Sequence, residues 1–169
     1  MAYQVFISHS TADMGLVDQL KYWLEVNGIE AYVAQIYPQP GMPVSDKVTN
    51  AIQNSDCLVA LLTADGARSE WVRDELAYAI SLKDKTGRPA VVPLVEEEVG
   101  PSLKGFVADK DQIRFSRQDP TEAVSRTIQF IYSLKVSKET QQATAATALL
   151  ILGLLAVAAL SSRNKEYVA

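Results

Sequence analysis

Glu75 lies in the segment TADGARSEWVRDELAYAISLK, which begins at Thr63. Read as a helix, that segment places Trp71 at i−4, Val72 at i−3, Tyr78 at i+3 and Ala79 at i+4 from the carboxylate. None of these is basic, so the usual helical ion pair has no local partner. A carboxylate between Trp and Tyr, less than two turns into the helix that follows a strand, is expected to be partly desolvated. Its pKa then rises toward the range in which a carboxyl group serves as acid, base or nucleophile. The spacing leaves two plainer fates open: a solvated helix residue, or an ion pair with a base distant in sequence. Glu70 and Asp74, in the first turns, complement the helix dipole.

Other chemistries are excluded by counting. The chain has 1 Cys, Cys57, and 1 His, His9, too few for an internal disulfide or a structural zinc site. Its 16 basic and 20 acidic residues give a net charge of −4, a poor footprint for nucleic acid. The P-loop and G-x-G-x-x-G signatures are absent, so a nucleotide would have to be held some other way. With 169 residues there is room for one domain and an appendage, and 48% apolar content marks it as globular.

Strands and helices alternate along residues 1–142. YQVFI from Tyr3 is β-branched and aromatic, a first strand. SHSTAD is a turn, and Val17, Leu20 and Leu24 mark one face of a helix that Asn27-Gly28 stops. A second strand covers 29–33, and the proline-rich stretch AQIYPQPGMP over 34–43 must be a loop. Val44, Val48 and Ile52 space a helix, and CLVALL from Cys57 is a strand buried on both faces. Ser69 caps a long helix ended by Gly87-Arg88-Pro89. AVVPLV from Ala90 is another buried strand, whose Pro93 requires a bulge or an edge. An acidic connection anchored by Leu103 and Phe106 leads to a short last strand at 112–115, then a helix from Asp119-Pro120 to Lys135. This pattern predicts an α/β fold with a five-stranded parallel sheet flanked by helices, its site at the carboxyl ends of the strands.

After a polar linker at 136–142, the run ATAATALLILGLLAVAAL from Ala143 holds no charge. With Ser161 and Ser162 it reaches about 30 Å as a helix, the thickness of a bilayer core. Its Leu, Ile and Val residues favour insertion by roughly 2–5 kcal/mol, which Ala, Thr and Gly erode. A transmembrane helix over 143–162 is expected, with a short basic tail at 163–169. A buried or oligomer-packing helix is the competing reading. The N-terminus MAYQVFISHS does not read as a signal peptide, so the expected arrangement is a single-pass membrane protein with its domain in the cytoplasm.

VFISHSTAD resembles the opening motif of the Toll/interleukin-1 receptor (TIR) domain family. LKYWLEVNGIEAYV, AIQNSDCLVALLT, SEWVRDELAYAI and AVVPLV follow in the family's order, covering about residues 3–135. The resemblance implies a five-stranded flavodoxin-like sheet. It also implies, from many prokaryotic and some eukaryotic members, cleavage of the nicotinamide–ribose bond of NAD+, a substrate rather than a cofactor. The family's key glutamate, four residues after a tryptophan, corresponds to Glu75 after Trp71. By the same resemblance Trp71 would stack on the nucleoside, and Phe6, Ser8, His9 and Ser10 would form floor and rim. The loop holding Gly41 would gate the pocket and mediate self-association. His9 reads better as a turn residue that contacts ligand or partner than as a general acid. Immune or antiphage signalling, switched on by self-association at a membrane, is the implied role. Two other readings compete: a non-enzymatic TIR adaptor, and a nucleoside deoxyribosyltransferase-like enzyme. The latter normally carries a glycine-rich segment where this chain has Arg68-Ser69-Glu70-Trp71.

Overall fold

A computed structural model describes residues 2–33, 46–99, 103 and 111–166, with backbone alone from 148 onward. Five strands, β1 (Tyr3–Ser8), β2 (Ile29–Val33), β3 (Cys57–Leu62), β4 (Ala90–Glu96) and β5 (Ile113–Phe115), form one sheet in the order β2-β1-β3-β4-β5. Every pairing is parallel. The helices are α1 (Met14–Val26), α2 (Asp46–Asn54), α3 (Glu70–Thr86) and α4 (Thr121–Glu166). Short 3-10 turns at Thr11–Asp13 and Gly66–Arg68 lead into α1 and α3.

Burial explains the order. All of β3 is buried, as its unbroken CLVALL run requires of a central strand, whereas edge strand β2 exposes Glu30 and Tyr32. On one face, Phe6, Leu58, Ala60, Leu62 and Val95 pack with Val48 and Ile52 of α2 and Val72, Leu76 and Ala79 of α3. Leu103 packs against the same cluster, the anchoring expected of it; Phe106 lies outside the described residues. Residues of α1 (Gln19, Trp23) and α4 (Val124, Ile128) line a common groove. Gly28 and Gly87 take φ of 67° and 79°, the left-handed conformation that lets α1 and α3 stop.

The order in which strands are added reverses between β1 and β3: β2 lies on one side, β4 and β5 on the other. In open α/β sheets that switch point opens the crevice in which ligands bind. Pro93 pairs in unbroken register with Ala60, and β5 joins β4 only from Leu94 on. Beside Pro93 the strand is therefore an edge, and the missing N–H interrupts no ladder.

By contacts the chain divides into Met1–Tyr132 and Ser133–Ala169. The stretch 136–142, expected as a linker, is helical and belongs to α4. Among the described residues no helix is long and apolar enough to cross a membrane. The expected span at 143–162 falls largely where side chains are not described, and the loop at 34–43, with Gly41, also lies outside the described residues.

Candidate active site

The surroundings of Glu75 are built from two turns. β1 alternates its side chains, so Phe6 and Ser8 face the same side of the sheet, the side that α3 covers. After β3, the chain passes through Thr63 and the Gly66–Arg68 turn before Ser69 begins α3, with its side chain 3.4 Å from the Val72 N–H. Trp71 and Glu75 follow at i and i+4, stacked on one helix face.

Glu75 is only 1% exposed. The Ser8 hydroxyl donates to its Oε2 at 2.5 Å, and the Trp71 indole N–H donates to its Oε1. Both oxygens are thus engaged, one from each turn. Among the described residues no basic side chain forms an ion pair with it, so neither plainer fate left open by the spacing is the one adopted. Burial pushes its pKa up to about 7, against the opposing pull of the Ser8 and Trp71 hydrogen bonds and with a small push from the Asp74 charge. Tyr78 does not share in this: its hydroxyl accepts from Gln53 Nε2 of α2 at 2.6 Å.

The other expected site residues take varied positions. Phe6 is fully buried and stacks on Tyr32 with ring centroids 5.6 Å apart, beneath the site as packing. His9 turns back, with Nδ1 3.3 Å from the Ile7 carbonyl oxygen, as a turn residue would. Ser10 donates its hydroxyl to Asp13 Oδ2 at 2.6 Å. Ser8, Trp71 and Glu75 therefore meet, while the side chains of His9 and Ser10 face the Ile7 carbonyl oxygen and Asp13.

A polar network adjoins them that no local sequence pattern marks. Asp13, 5% exposed, also accepts from Thr63 Oγ1 at 2.8 Å, and Thr63 Oγ1 accepts from the Gly66 N–H at 2.9 Å. Arg117, just past β5, places Nη2 3.6 Å from Asp13 Oδ1 and donates from Nε to Glu96 Oε1 at 2.7 Å. Glu96 accepts as well from the Ala64 N–H at 2.8 Å. Burial alone would raise the Glu96 pKa, but the Arg117 and Ala64 hydrogen bonds and the Arg117 charge hold it below the ordinary value. Asp13 and Thr63, and Glu96 and Arg117, lie too far apart in sequence for spacing to pair them.

Chemically, a buried carboxyl group that titrates near neutrality, beside an indole and at a sheet switch point, suits stabilisation or capture of a developing cation. Among the described residues no cluster of three or more His, Cys, Asp or Glu is arranged to hold a metal.

In comparison with known proteins, the chain is similar to the TIR domain of the Toll-related receptor TRR-2 from Hydra magnipapillata. That likeness has 17% identity and a TM-score of 0.60 and covers 78% of this chain and 99% of that one. It is similar also to the TIR domains of the activated Roq1 resistosome that directly recognises the pathogen effector XopQ, at 21% identity and a TM-score of 0.50, over 79% of this chain and 83% of that one. At such identities the likeness is one of fold. No curated protein matches the chain. The family model described as the TIR domain matches residues 5–128, a span that runs from β1 into α4 and includes Ser8, Trp71 and Glu75. The chain belongs to the TIR domain family.

Proposed function

We propose that this TIR domain is an NAD+ glycohydrolase in which Glu75 is the catalytic carboxylate. The observation that carries the reading is Glu75 itself, enclosed at the switch point, held by Ser8 and Trp71, and ionising near neutral pH. Nicotinamide departs from C1′ of the ribose with the bonding electron pair, which neutralises its ring charge and leaves an oxocarbenium-like sugar. The Glu75 carboxylate stabilises that cation or captures C1′ covalently. Water then supplies hydroxide to C1′ and releases a proton, giving ADP-ribose; attack by an adenine nitrogen instead closes a cyclic isomer. Each carboxylate oxygen accepts one hydrogen bond and keeps a further lone pair with which to face the substrate. Trp71, partly exposed, is placed to exchange its hydrogen bond for stacking on the nucleoside.

Self-association through the TIR domain and anchoring through 143–162 complete the proposal: a bilayer would raise the local concentration at which domains meet. The biological setting proposed, immune or antiphage signalling, rests on family analogy. The adaptor reading draws on the same 1% exposure, since a carboxylate hydrogen-bonded on both oxygens also serves as a purely structural link.

NAD+ consumption by the purified full chain, concentrated or clustered on liposomes, tests the proposal against Glu75→Ala and Glu75→Gln. Wild type is expected to release nicotinamide and the variants to lose about 10²-fold or more. Wild type that stays inert when clustered gives the adaptor reading the field.

A further inference from the structure

The network around Asp13 joins four turns at the carboxyl end of the sheet. Ser10 follows β1, Thr63 and Ala64 follow β3, Glu96 ends β4, and Arg117 follows β5. Two of these turns are the ones that hold Glu75. From Asp13 the connection runs back through Ser10 toward Ser8, and forward through Thr63 to the Gly66 N–H, where the 3-10 turn delivers Ser69, Trp71 and Glu75. Gly66 makes this junction tight: a Cβ there would come within 2.1 Å of the Leu61 carbonyl oxygen. Net stabilisation is a weak account of the arrangement, because enclosed carboxylates are costly to desolvate and pairing them with a guanidinium often does no more than offset that cost. What the fork does supply is geometry: it donates to both Glu96 oxygens, at 2.7 Å and 3.4 Å, and that two-point grip, which an ammonium point charge does not reproduce, holds Nη2 at an ion-pair distance of 3.6 Å from Asp13 Oδ1.

We propose that Arg117 and Asp13 are positioning residues for the Glu75 site, setting the spacing between the turn that presents Ser8 and the turn that delivers Trp71 and Glu75. Their effect on turnover rests on the NAD+ reading above; their effect on the geometry does not. Neither touches the carboxylate. Arg117 acts through Asp13, and Asp13 acts through Ser10 and Thr63.

The test is the indole 15N–1H resonance of Trp71 in the full chain, with Trp23 of α1 as the second tryptophan and internal control. In Arg117→Lys, Arg117→Gln and Asp13→Asn the Trp71 signal is expected to shift. Its hydrogen exchange should speed up about tenfold, the scale of one weakened hydrogen bond. The Trp23 signal and the protection of the β3 amides should stay as in wild type. In the same variants kcat should fall while KM for NAD+ changes less. Should Asp13→Asn fail to fold, Arg117→Lys decides, because it alters a half-exposed side chain and keeps the charge. An unmoved Trp71 resonance in both Arg117 variants overturns the proposal, even where wild type cleaves NAD+. A shifted resonance in a protein whose wild type is inert leaves the positioning role standing and removes the enzyme reading.

Discussion

Glu75 carries its protonation state into the stability of the whole domain. Its folded pKa of about 7 lies above the ordinary value of 4.5, so folding favours the protonated form. The contribution is complete below about pH 4.5 and is lost as pH rises through 7. At about 1.4 kcal/mol per pH unit, the loss between pH 5 and pH 8 amounts to about 2–3 kcal/mol. Glu75→Gln removes that titration while preserving shape. The amide oxygen takes the Trp71 N–H, and its NH2 donates to a Ser8 hydroxyl that has turned to accept. Denaturant unfolding across this window should show wild type losing stability relative to Glu75→Gln as pH rises, with every other titrating group cancelling in the difference. Parallel stability curves for the two proteins would mean that Glu75 is ionised in the fold at all these pH values.

The segment from Leu61 to Ser69 converts a buried strand into the helix that carries Glu75, and its path depends on Gly66. A methyl group there meets the Leu61 backbone oxygen at 2.1 Å, and backbone cannot swing aside as a flexible side chain does. Gly66→Ala should therefore cost on the order of 2–3 kcal/mol and displace the start of α3, lowering Tm and activity together. Gly15→Ala on α1, where a Cβ meets nothing within 4 Å, should be neutral or slightly stabilising in the same thermal melts. The elements around Gly66 were legible in the sequence for local reasons. Unbroken apolar runs marked β3 and β4, glycines marked the ends of α1 and α3, and helical spacing isolated Glu75 from any basic neighbour. Ser8 could be matched to Glu75 only through family resemblance, because they stand 67 residues apart. Asp13 with Thr63, 50 apart, and Arg117 with Glu96, 21 apart, carried no local signal, since pairing across turns is decided by sheet order. The helical state of 136–142 was also hidden: its polar composition reads as a linker, yet Lys, Glu and Gln are good helix formers.

At the scale of the whole molecule, an acidic domain and an uncharged C-terminal run set opposite preferences. The chain as a whole carries −4, so its net charge gives no general attraction to anionic lipid, and the apolar run is the feature whose membrane affinity is to be measured. Neutral phosphatidylcholine vesicles isolate that contribution. The Leu, Ile and Val residues of 143–162 would favour insertion by at most roughly 2–5 kcal/mol before Ala, Thr and Gly erode it, whereas one Arg at the centre of a span costs about 2.5–3.5 kcal/mol. Replacing Leu154 and Leu155 together by Arg should therefore reverse the balance, while leaving every residue of the Met1–Tyr132 unit unchanged. In flotation assays wild type should rise with the vesicles and the double variant should stay behind. NAD+ turnover should fall toward that of dilute protein when clustering is lost. If the variant floats equally well, the run packs against protein rather than lipid; if it stays behind with undiminished turnover, the domain acts without assembly at a surface.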